Sequence, residues 1–208
     1  MAEISTILWD VGGVLLTNGW DHVERAAVLQ HFGLAFDLIE PRHQFANDSW
    51  EKGLMTGEQY LQHTIFFEPR PFTPADFLQQ MKLRSVLLPQ GAMRILQELA
   101  ASEEMELVML NNEARELNDY RIEQFALGAY FDVFLSSCYL GLRKPDPKIF
   151  ELALDVLQRD ADEVAFIDDR QHNCDAAAAL GIHAIRYQDE AQCVRALEHL
   201  GIDAGVRM

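Results

Sequence analysis

Cysteine is scarce in this 208-residue sequence: Cys138, Cys174 and Cys193 lie far apart and form no C-x-x-C pair. That excludes a disulfide framework and a paired-cysteine zinc site, and it fits a reducing compartment. Cations are scarce too, with 17 Lys and Arg against 33 Asp and Glu, a formal charge of −16. Nucleic acid and anionic membranes would be repelled by such a surface, so neither is expected as a partner. An anionic substrate would need a local cation to hold it. No apolar run approaches the roughly 18–20 residues that span a bilayer. Residues 1–5 carry no basic region and no cleavage signal, so the expected location is the cytoplasm. The sequence also lacks G-x-S-x-G, a P-loop and G-x-G-x-x-G, which sets aside serine hydrolases, P-loop NTPases and dinucleotide enzymes. Its seven histidines show no H-E-x-x-H spacing.

What is present is an ordinary globular composition, 49% apolar and 24% charged. Residues 4–9 form a short apolar run that stops at Asp10 and a Gly12-Gly13 turn, the pattern of a buried strand running into a loop. The next strand pattern begins only at residue 106. Between them the chain reads as helical, with Thr56-Gly57-Glu58-Gln59 as a capping box and Thr73-Pro74-Ala75-Asp76 as a cap with a first-turn proline. From residue 91 onward, helices expected at 91–102, 114–127, 148–158, 173–180 and 190–200 alternate with strands at 106–110, 133–136, 163–167 and 183–187. Such alternation implies right-handed crossovers and a parallel sheet covered on both faces. The expected class is α/β: a doubly wound, Rossmann-like core of residues 1–17 and 90–208, interrupted by an all-helical domain of residues 18–89.

In open α/β sheets, ligands collect beyond the carboxyl ends of the strands. The sequence places Asp10, Asn111, Asn112, Asp168 and Asp169 at those ends, and Lys144 in the loop after the third strand. So many unpaired polar groups on one rim would be costly unless something charged were bound there. Aspartate oxygens without His or Cys select a hard cation such as Mg²⁺, and a lysine beside it suits an anion, together describing a phosphoryl site.

These residues carry a family resemblance. Asp10-Val11-Gly12-Gly13-Val14-Leu15 resembles the first motif of the haloacid dehalogenase superfamily, and Met109-Leu110-Asn111-Asn112 resembles the second. Gly141-Leu142-Arg143-Lys144-Pro145-Asp146 is similar to the third, and Phe166-Ile167-Asp168-Asp169 with Asn173 to the fourth. The helical stretch sits where the family carries a cap. The resemblance implies a Mg²⁺-dependent phosphatase acting on a small phosphorylated metabolite. Asp10 would be the nucleophile, forming an aspartyl-phosphate. Asp10, the carbonyl of Gly12, Asp169 and Asp168 would hold the metal. Lys144 would neutralise the phosphate, and Asn111 and Asn112 would bind its oxygens.

Two departures stand out: Gly12 replaces the family's general-acid aspartate, and Asn111 replaces its Ser or Thr. The branch resembled is the D-x-G-G-V variant. A catalytically weak or inactive phosphate- and metal-binding regulator is therefore the alternative, and a haloacid dehalogenase a weaker one, having little use for the acidic pair. In the cap, Arg42, His43 and Trp50 are the side chains expected to reach the substrate.

Overall fold

The computed structural model describes residues 3–89 and 91–205; Met1 and Ala2 of the leading segment, and Gln90 at the expected domain boundary, lie outside the described residues. Five strands form one parallel sheet: β1 (Thr6–Trp9), β2 (Glu106–Asn111), β3 (Val133–Ser136), β4 (Val164–Asp168) and β5 (His183–Arg186), in the order β3-β2-β1-β4-β5. Every residue of β1 and β4 is buried, because a central parallel strand has helices on both of its faces. The two-residue period then divides the core. Ile7 and Trp9 join one apolar layer with Leu96 of α5 (Met93–Ser102) and Val194 of α10 (Glu190–His199). Leu8 joins the other with Phe150 of α8 (Pro147–Leu157) and Ala177 of α9 (Gln171–Ala178). The strand order reverses direction at β1, so a crevice opens at its carboxyl end, where Asp10 follows.

Four helices separate β1 from α5: α1 (His22–His31), α2 (Phe36–Glu51), α3 (Gly57–Thr64) and α4 (Pro74–Lys82). Thr56 with Gln59, and Thr73 with Asp76, form the capping boxes that open α3 and α4. The four bury a cluster of their own, including Trp20, Val28, Trp50, Tyr60 and Phe77, closed from the core side by Ala114 and by Leu117 of α6 (Arg115–Gln124). The helix expected over 114–127 is therefore shorter; its end tightens into a 3₁₀ turn at Leu127–Ala129. A short α7 (Ser137–Leu140) follows β3.

The two passages between sheet and helical insertion run side by side. Thr17 N donates to Val86 O (3.0 Å), Thr17 Oγ1 donates to Arg84 O (2.7 Å), and Leu88 N donates to Leu15 O (3.0 Å). The Arg121 guanidinium, buried in α6, ties both: Nη2 donates to Thr17 O (2.7 Å) and Nε to Ser85 Oγ (3.0 Å).

Candidate active site

Lys144 is the hub. Its ammonium is 1% exposed and donates to Leu110 O (2.7 Å) and Asp168 Oδ2 (2.7 Å), with Asp10 Oδ1 at 3.0 Å. Three acceptors match the three protons of an ammonium. Asn112 holds the loop that delivers it, accepting from Lys144 N (2.8 Å) and donating to Lys144 O (2.8 Å). Burial alone would depress the lysine's pKa, yet the Asp10 and Asp168 carboxylates outweigh it and the net direction is upward, so the cation persists. Asp10 moves the other way from an ordinary carboxylate. Burial raises it to about 7, Asp168 and Asp169 add to the rise, and Lys144 opposes it.

The neighbouring acids divide their work. Asp168 is fully buried and saturated, accepting from Lys144, from Arg170 N (2.8 Å) and from Asn173 Nδ2 (3.0 Å to each oxygen). Asp169 is not: its buried Oδ1 has no hydrogen-bond partner among the described residues, and burial with the Asp168 charge raises its pKa. Carboxylate oxygens of Asp10, Asp168 and Asp169 lie within 4.8 Å of one another. An orphaned carboxylate oxygen beside two further acids fits a divalent hard cation, the oxygen-only donor set favouring Mg²⁺ over zinc. Gly13 makes the approach possible: with φ +74°, a Cβ there would lie 2.3 Å from Asp169 Oδ2. The sequence pattern shows a turn at Gly12-Gly13 but not this contact.

A cavity of about 490 Å³ opens above Asp10 and Lys144, lined from the core also by Gly12 and Asn112 and from the insertion by Arg25 and His43, among others, while Asp169 lines a separate cavity with Gly13. The other expected site residues lie elsewhere. Asn111 is buried away from this lining, its amide donating to Asn118 Oδ1 (3.0 Å). Its side chain there braces β2 against α6, with its Oδ1 buried and without a hydrogen-bond partner among the described residues. Asn112 spends its amide on the Lys144 backbone. Trp50 belongs to the apolar cluster of the helical insertion, stacked on Tyr60 at 3.9 Å and donating Nε1–H to Glu116 (3.1 Å). The Arg42 guanidinium lies 3.7 Å from the Phe67 ring centroid and lines a separate cavity with His63. Of these three residues of the insertion, His43 alone faces the space above Asp10.

Sequence reasoning missed the pair beside Gly12. A Cβ on Gly12 would meet Asn18 Oδ1 at 3.2 Å and Arg121 Nη1 at 3.8 Å, and that guanidinium pairs with Glu113 Oε2 at 3.0 Å. Burial raises Glu113 to about 7 against the pull of Arg121. No local motif marks either residue; only the fold brings them together.

A family model described as haloacid dehalogenase-like hydrolase matches residues 4–181. The chain belongs to the haloacid dehalogenase-like hydrolases. Flavin mononucleotide hydrolase 1 of Arabidopsis thaliana, described as chloroplastic, is 28% identical over 198 residues, covering 93% of this chain and 79% of that protein. Mouse acyl-CoA dehydrogenase family member 10 is 42% identical over 79 residues, but these are 35% of this chain and 7% of that much longer protein. Among solved structures, the HAD family enzyme BT-2542 of Bacteroides thetaiotaomicron, in complex with magnesium and inorganic phosphate, superposes with a TM-score of 0.75 at 22% identity, covering 89% of this chain and 95% of that one. This haloacid dehalogenase-like hydrolase thus has the family's α/β fold, with an acidic cluster at the carboxyl end of its sheet. Among its described residues, no helix is long and apolar enough to cross a membrane.

Proposed function

We propose that this hydrolase is a Mg²⁺-dependent phosphatase of a small phosphorylated metabolite, working through an aspartyl-phosphate on Asp10. The observation that carries the reading is the orphaned Asp169 Oδ1 beside Asp10, with the Lys144 ammonium fixed on the other side. Magnesium and inorganic phosphate in the Bacteroides neighbour, and the hydrolase activity in the Arabidopsis relative's name, support it. Three unpaired, buried cysteines suit a reducing cytoplasm, whereas the Arabidopsis relative carries a chloroplast designation.

A cation held by Asp10, the Gly12 carbonyl and Asp169, with Asp168 adjacent, would neutralise charge on the phosphoryl oxygens. Lys144 occupies Asp10 Oδ1 and leaves Oδ2 to attack phosphorus. The bond from phosphorus to the leaving oxygen breaks, and that oxygen takes a proton from solvent water. Water then adds to the aspartyl-phosphate, releasing phosphate and restoring the carboxylate. Lys144 stays protonated throughout, offsetting negative charge next to the nucleophile. Gly12 offers no acid, so help typically worth ~10²–10⁴-fold is missing at that position. Leaving groups of low pKa should be favoured.

One observation favours a second reading, a phosphate- and metal-binding protein with little turnover: the atoms a side chain at position 12 would meet belong to Asn18 and Arg121, with no carboxyl in direct contact. A screen of p-nitrophenyl phosphate, acetyl phosphate and phosphorylated metabolites, with and without Mg²⁺, separates the two. Enzyme-like turnover of a metabolite supports the phosphatase. Binding without turnover supports the second reading.

A further inference from the structure

We infer that His43 is a tautomer-locked hydrogen-bond donor, presenting Nε2–H from the helical insertion to an oxygen of the substrate's leaving group. The identity of that ligand rests on the phosphatase reading; the locked tautomer does not.

The lock is a chain of buried hydrogen bonds. Trp20 Nε1, which can only donate, donates to Tyr60 Oη at 2.7 Å. Tyr60 Oη also lies 2.7 Å from His43 Nδ1. The tyrosine is fully buried, and its single proton needs an acceptor. Were Nδ1 protonated, two hydrogens would meet and the tyrosine proton would be left without an acceptor. Tyr60 therefore donates and Nδ1 accepts, so a neutral His43 carries its own proton on Nε2. That nitrogen has no protein partner among the described residues, and the ring lines the cavity above Asp10.

The ring also stays neutral. Burial pushes its pKa down to about 4, with Arg25 and more weakly Arg143 pushing the same way, against Glu40 and Asp21. Arg25 and its neighbour Asp21 face it from α1, Glu40 from its own helix, Tyr60 from α3, and Arg143 from the core loop. Arg25 is held there by Glu40 through two bonds of 2.8 and 2.9 Å. A neutral imidazole is a very weak acid, so His43 does not stand in for the proton donor missing at Gly12. It offers a fixed N–H instead. A leaving group with a hydroxyl or carbonyl oxygen close to its phosphate satisfies that donor. A hydrocarbon leaves it unpaired. The favoured class is thus the phosphate ester of a hydroxylated small molecule.

Two measurements test this on the full chain. In ¹⁵N-histidine-labelled protein, His43 should show the Nε2–H tautomer and remain neutral from pH 7.5 to 5, while Tyr60→Phe, which removes the donor to Nδ1, should let the Nδ1–H tautomer appear beside it. An Nδ1–H tautomer, or ordinary titration in the parent, overturns the lock. In kinetics with glycerol 2-phosphate and phenyl phosphate, His43→Phe should lower the ratio of their kcat/KM values about tenfold. His43→Gln, whose amide can place an N–H near Nε2, should recover that ratio. An unchanged ratio in His43→Phe overturns the role in recognition. A parent that hydrolyses neither probe counts against the phosphatase reading, and the NMR result still decides the lock.

Discussion

Lys144 Nζ lies 3.0 Å from Asp10 Oδ1, inside the protein and with Asp168 on its other flank. One ammonium keeps two buried carboxylates from facing each other uncompensated. Lys144→Met removes it, and breaking a buried ion pair from one side costs ~3–5 kcal/mol. Urea denaturation should show a loss of that order, and phosphate release should vanish. Unchanged stability would contradict the geometry.

Gly13 makes a second, sharper prediction. In Gly13→Ala the new methyl would lie 2.3 Å from Asp169 Oδ2 on a backbone with φ +74°. Left-handed backbone costs an alanine ~1–2 kcal/mol, and Asp169 must move as well. Calorimetric titration should show Mg²⁺ affinity reduced at least tenfold. Gly12→Ala, whose methyl meets Asn18 Oδ1 at 3.2 Å, should keep most of the binding. Equal affinities in the two variants would remove Asp169 from the metal site.

Restoring the missing acid should work poorly. The Cβ introduced by Gly12→Asp would lie 3.8 Å from Arg121 Nη1, so its carboxylate competes with Glu113 for that guanidinium. The gain in turnover should fall short of the ~10²–10⁴-fold that general acid–base help supplies. Adding Glu113→Gln, which leaves Arg121 to the new carboxylate alone, should lower it further. Steady-state phosphate release checks both. A full gain from the single substitution would mean that Arg121 does not capture the new group.

His43 links the site to stability. Its folded-state pKa of about 4 lies below the unfolded value of 6.5, so between those values the unfolded chain binds the extra proton. Its contribution is present above pH 6.5 and is lost as pH falls toward 4. Melting temperatures measured across that window should fall less steeply in His43→Gln than in the parent. Identical slopes would show that the ring titrates normally in the folded protein.

Much of this was legible in the sequence, for physical reasons. The strand ending at Trp9 is a run of apolar residues halted by an aspartate, and β1 is buried on both faces as such a run requires. Thr56 and Thr73 announce their helices through side-chain chemistry within three residues. Asp10, Lys144 and Asp169 share one rim because each follows a strand of one parallel sheet. What was not legible depends on contacts between distant segments. Asn111 resembles a phosphate ligand by position, but Asn118 one helix away takes its amide. Arg42 turns away from His43's buried face of α2, whereas Trp50 shares that face but packs on Tyr60, and α2 carries Pro41 and too weak an apolar stripe to reveal either placement. Glu113 and Arg121 belong to no motif and meet across the loop after β2.

The central claim is that Asp10 is the nucleophile of a magnesium-dependent phosphoryl transfer. Phosphate release from p-nitrophenyl phosphate by the parent and by Asp10→Asn, each with Mg²⁺ and with the metal chelated, tests it directly. The account predicts release only from the parent and only with Mg²⁺. Turnover that persists in Asp10→Asn, or that ignores chelation, would contradict it.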